Sequence, residues 1–188
     1  MAGTVHEFTI REFEGLVRDQ LTDIRRGNDQ AAADFAWGIR ATGSPKIADD
    51  DGAHHPDGSF AHEDAGVECV ILEVSHSQQR HDLPFLADEY ILGSNGRTQV
   101  VIGIDLEYRE EKGKEARVTV WRPRYIEEDG EAVLEAAETE TGVFRAVDGS
   151  LGWSPPQQLT ESDEERLKAA EKRVKRQLSD EDSDYIPE

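Results

Sequence analysis

Apolar residues recur at helical spacing at Ile10, Phe13, Val17, Leu21 and Ile24, which predicts an amphipathic helix over residues 9–26 with Thr9 and Glu12 as a capping box. At the helical period Glu14 falls at the edge of that apolar stripe and Glu12 on its far side. Glu14 is thus the helix carboxylate nearest the core, either a boundary residue whose carboxylate reaches water or an inward acid. Residues 29–37, rich in alanine with Phe35, read as a short helix or the lead into a strand. Residues 38–41 and 46–48 flank Thr-Gly-Ser-Pro, a turn signal that predicts a hairpin of short strands. The acidic run 49–52 follows as a solvated loop.

The strongest strand spans 67–75, where Cys69, Val70, Ile71 and Leu72 are consecutive, as expected for a central strand covered on both faces. Its end places Glu73 and Ser75 on one face and Val74 on the other. Leu83, Leu86, Ala87, Tyr90 and Ile91 then form a helical stripe over 82–92, with Pro84 tolerable in the first turn and Gly93 as the C-terminal cap. A second buried strand over 99–106 completes a strand, helix and strand, the pattern of a right-handed parallel crossover. Residues 117–122 alternate and predict a strand antiparallel to the one before it, and 131–136 and 142–147 predict two short edge strands. The fold class expected is α+β, a mixed sheet flanked by helices.

Residues 160–178 predict an exposed helix with a narrow stripe, Leu167, Ala170, Val174 and Leu178, that either rests on the domain or binds a partner protein. The expected organisation is a domain over 1–156 with its core at 36–124, an appended helix within 157–178, and an acidic disordered tail at 179–188.

Composition narrows the partners. A net charge of −20 repels nucleic acid unless Lys and Arg concentrate on one face, so any such binding is expected to be weak. The single cysteine, Cys69, offers neither an internal disulfide nor a cysteine zinc motif. No signal-peptide core or run of apolar residues long enough for a membrane span is present, which points to an intracellular protein, cytoplasmic or nuclear, with no membrane partner. The histidines at 54, 55, 62, 76 and 81 lack the spacing of a zinc ligand set and read as solvated loop residues.

The chemistry sits between Asp57 and Glu73. Carboxylates that converge on Mg²⁺ let the ion activate water and stabilise charge on a scissile phosphate, although Asp57, between Pro56 and Gly58, also suits an ordinary turn. A helix with an inward Glu, then ProAsp, then a buried strand ending in Glu, a helix and another strand resembles the PD-(D/E)xK nuclease-like superfamily. More closely, HPDGSF, VILEVSHSQ, DLPFLADEYILGSNG, VVIGIDLEY and VTVWRPR are similar to uncharacterised, mostly fungal proteins with a restriction-endonuclease-like domain.

The resemblance implies Asp57 and Glu73 as metal ligands for Mg²⁺ or Mn²⁺, with the Val74 carbonyl facing the ion and Glu14 as the first-helix carboxylate. It also implies a Lys two residues after Glu73, and this chain has Ser75 there. Lys46 or Arg80 is the candidate replacement cation, Arg acting only electrostatically, and Gln78 matches a polar helix position able to orient water or substrate. The expected function is a degenerate or weakly active nuclease-like domain serving as a binding or regulatory module. The alternative is an active metal-dependent endonuclease or phosphodiesterase using Asp57 and Glu73.

Overall fold

The computed structural model describes residues 2–48, 53–76, 82–106, 115–128 and 130–145. The chain divides into a unit Met1–Ser154 and a unit Pro155–Glu188; the helix and acidic tail expected after residue 156 lie outside the described residues, as does the 49–52 loop. Helices α1 (Ala2–Arg25), α2 (Gln30–Gly38) and α3 (Asp82–Gly93) accompany eight strands: β1 (Ile39–Ala41), β2 (Ile47–Ala48), β3 (Ala53–His54), β4 (Gly58–His62), β5 (Val70–His76), β6 (Val100–Leu106), β7 (Ala116–Glu128) and β8 (Glu131–Arg145). This is the α+β class expected.

Six strands form one sheet in the order β1-β4-β5-β6-β7-β8, and β2 pairs with β3 apart from it. β5 and β6 are parallel and joined through α3, whereas every other pairing in the large sheet is antiparallel. The alternation of β5 assigns its side chains to two cores. Ile71 joins Leu83, Ala87, Tyr90, Ile91, Val101 and Trp121 beneath α3. Leu72 and Val74 join Ile104, Leu106 and Ala116, against which Val5, Ile10 and Phe13 of α1 pack. Gly103 is bare because a Cβ there would stand 2.8 Å from the Trp121 ring and 3.1 Å from Leu83.

Four expectations are corrected. Helix α1 starts at Ala2 rather than Thr9; the Thr9 hydroxyl donates to the Val5 carbonyl at 2.9 Å, a bond inside a helix rather than a cap. Residues 38–41 and 46–48 form no hairpin with each other. The segment between them is drawn instead to β4, where Thr42 N–H donates to the Ser59 carbonyl at 2.8 Å and the buried Ser59 hydroxyl donates to Gly43 O at 2.8 Å. Helix α3 is ended by Asn95 and Gly96, both at positive φ, with Gly96 N–H returning to Ile91 O at 2.8 Å. Finally, β7 and β8 are long. The two predicted edge strands are one strand of 15 residues, and β7 continues through Pro123, which lies past the last β6 pair, Val101↔Trp121, where a missing N–H breaks no second ladder.

The ambiguous segment 29–37 is helical. Asp29 caps it, accepting from Ala32 N–H at 3.1 Å. α2 is tied to α1 by Arg25, whose guanidinium donates to Ala36 O at 2.8 and 3.1 Å and stacks over Trp37 at 4.7 Å.

Candidate functional site

The two acids expected to converge do so, and strand register explains it. β4 and β5 pair Gly58 with Leu72, so continuing the antiparallel ladder by one step sets Asp57 across from Glu73. Pro56 is fully buried beside them, and Asp57 stands at the bend that leads into β4. Asp57 Oδ2 accepts from the Val74 N–H at 2.7 Å and lies 3.0 Å from His6 Nε2 of α1. On the other side Tyr90 of α3, 2% exposed, donates its hydroxyl to Glu73 Oε1 at 2.6 Å. Helices from both faces of the sheet thus reach one carboxylate pair.

Electrostatics follow from this enclosure. Burial pushes Glu73 up to about 7; the Tyr90 hydroxyl opposes the rise, and Asp57 adds to it by charge and by hydrogen bonding. Tyr90 is raised well above its ordinary value by burial and by the Glu73 carboxylate that its proton serves, so it remains a donor. Near neutrality Glu73 is therefore divided between its neutral and ionised forms.

Asp57 and Glu73 border a cavity of about 190 Å³ with His6, Ser75 and Asp82, and Leu83 and Leu86 close its apolar side. Val74 also borders it. Glu14 is half-buried, and its Oε1 lies 3.8 Å from the point a Cβ on Gly58 would occupy. Glycine at 58 therefore leaves the Glu14 carboxylate beside the residue that follows Asp57.

The position expected to carry Lys is closed. Ser75 is 4% exposed and donates its hydroxyl to Asp105 Oδ1 at 3.2 Å, its register partner on β6. Lys46 is exposed beside β2 and does not border the cavity, because its segment pairs with β3 instead of lying along the main sheet. Arg80 and Gln78 lie outside the described residues. Among the described residues no Lys or Arg lines the cavity; the basic side chain there is His6.

Sequence reasoning missed His6, Tyr90, Asp82 and Asp105 as site residues. His6 was recoverable, since it precedes Ile10 by one helical turn and extends the stripe of Ile10, Phe13 and Val17 once the helix begins at Ala2. Tyr90 was read only as an apolar contact of α3, and nothing in its spacing separates a packed ring from one whose hydroxyl serves a carboxylate. The histidines read as solvated loop residues include two with partners. His54 lies 3.3 Å from Glu89 and edge-on to Tyr90, and His62 stacks on Phe35 at 4.7 Å.

The donor set can be tested against the implied metal. Two all-oxygen carboxylates suit a hard divalent ion that keeps most of its waters, as Mg²⁺ does. Among the described residues, however, no group of three or more His, Cys, Asp or Glu converges as a metal ligand set. No described helix is long and apolar enough to cross a membrane. No family model, curated protein or solved structure matches the chain.

Proposed function

We propose that the chain is a restriction-endonuclease-like domain whose acidic site serves binding or regulation and does not hydrolyse phosphodiesters. One observation carries this reading. The cavity presents Asp57, Glu73 and Asp82, with His6 as its basic side chain and Ser75 turned to Asp105 where a Lys is wanted. A phosphate entering it meets carboxylates with no fixed cation among the described residues to offset them, and such a site repels a polyanion. A divalent ion held by Asp57 and Glu73 would supply the missing charge and polarise water. The protein's own groups do the rest: Tyr90 and the Val74 N–H fix the two carboxylates, and Leu83 and Leu86 exclude water from one side.

A second reading, an active Mg²⁺-dependent endonuclease, is favoured by a different observation. Asp57, Glu73, Val74 and Glu14, the four metal positions that the resemblance implies, all lie at the junction of β4, β5 and α1. Cleavage assays on single- and double-stranded DNA and RNA, with Mg²⁺ or Mn²⁺ and with Asp57→Ala and Glu73→Ala in parallel, decide between them. No cleavage by the native chain supports the binding module. Cleavage abolished in both variants establishes the enzyme.

A further inference from the structure

The two edges of the main sheet are unequal. β1 ends it on one side with three residues, a length that offers another chain almost nothing to pair with. β8 ends it on the other side with 15 residues, against a usual strand of about five or six. Among the described residues no strand pairs with the outer side of β8. β8 contains no Pro and no Lys, two of the devices that usually blunt an edge.

Within β8 the stretch 131–138 is regular. It pairs with 121–128 of β7 in one unbroken register from Glu128↔Glu131 to Trp121↔Glu138, and the register shifts lie outside it. Leu134 and Ala136 of this stretch pack against the core beneath α3, so the template is held in strand conformation and little ordering remains to oppose a partner. Its outer side offers about four backbone groups of each kind, alternating along the strand.

We propose that the outer edge of 131–138 accepts an extended, basic peptide segment of another protein as a seventh strand of the sheet. Charge selects this occupant. The chain carries −20 overall, and β8 carries Glu131, Glu135, Glu138 and Glu140 against Arg145; a second copy would set an acidic edge on an acidic chain. Alternation sharpens the match. Glu131, Val133 and Glu135 share one face, with Val133 38% exposed and Glu135 also ion-paired to Arg124 of β7. A complementary strand therefore presents a basic residue, an apolar residue and a basic residue at every second position, and such cross-strand pairs give specificity while the backbone ladder gives affinity.

The test uses the full chain and two ten-residue peptides, one alternating Lys-Thr-Val-Thr and its counterpart with Glu in place of Lys. The Lys peptide should bind, slow hydrogen exchange at alternate amides of 131–138, and weaken as salt is raised. Glu131→Lys with Glu135→Lys should weaken it roughly tenfold and admit the Glu peptide. Binding of the Lys peptide without new protection in β8 would overturn the proposal, as attraction to a −20 chain alone. So would failure of both peptides, or a dimer of the native chain already protected along β8.

Discussion

The helices on the two faces of the sheet are held in different ways. Beneath α3 the contacts are apolar and closed: Ile91 and Ala87 have no exposed surface and Tyr90 almost none. α1 instead lays only half-buried residues, Val5, Ile10 and Phe13, on its face. What fixes it besides is polar, His6 on Asp57 near one end and Arg25 on Ala36 O at the other. The Tyr90 half of the candidate site is therefore part of the core, and the His6 half is attached to it. Apolar burial loses a few kcal/mol per large side chain when broken, whereas a part-exposed polar contact loses about one.

The largest expected effect tests that contrast. Ile91→Ala should lower stability by about 2–5 kcal/mol, read as a shift of the urea midpoint, and Ile10→Ala on α1 by clearly less. Equal losses would dissolve the distinction between the faces.

Next comes the acid. Glu73 has a folded-state pKa raised from 4.5 to about 7, so the unfolded chain ionises it more readily and folding is opposed at high pH. This contribution is absent below pH 4.5, grows between pH 4.5 and about 7, and is constant above. Glu73→Gln, which keeps an acceptor for Tyr90, should thus match the native protein in acid and exceed it by up to about 3 kcal/mol above pH 7. A gain that does not grow across that interval would refute the account of Glu73.

Gly103→Ala should lose about 1–3 kcal/mol by overpacking against Trp121 and Leu83, both parts of the closed face; chemical denaturation measures it. Tyr90→Phe removes a hydrogen bond that holds Glu73 down, so the carboxyl should titrate higher still in carbon-detected NMR. The smallest effect belongs to His6→Ala, about 1 kcal/mol. Faster hydrogen exchange should appear in the first turns of α1, with α3 unchanged.

How much of this was legible in the chain depends on how local each cause is. The β5-α3-β6 unit could be read because each segment carries its own period, and Asp57 and Glu73 could be paired because one lies in the strong strand and the other shortly ahead of it. The pairing of β1 could not, because a three-residue strand carries no period of its own and its partner, Phe60 to His62, lies about twenty residues further on. The long β7 was hidden by Pro123, a strand breaker that becomes tolerable only where β6 has ended. His6 was hidden by a plausible but incorrect cap at Thr9, and Lys46 looked close to the site only while its segment was taken as a hairpin with β1.

The spacing of the site's members along the chain also implies a sequence of events in folding. Asp57 and Glu73 are brought together by a turn of modest length between β4 and β5, whereas His6 is 51 residues from Asp57, a longer loop to close and a slower contact to make. Loop-closure entropy therefore favours joining the acidic pair over docking His6, by the difference between a short connection and one of 51 residues.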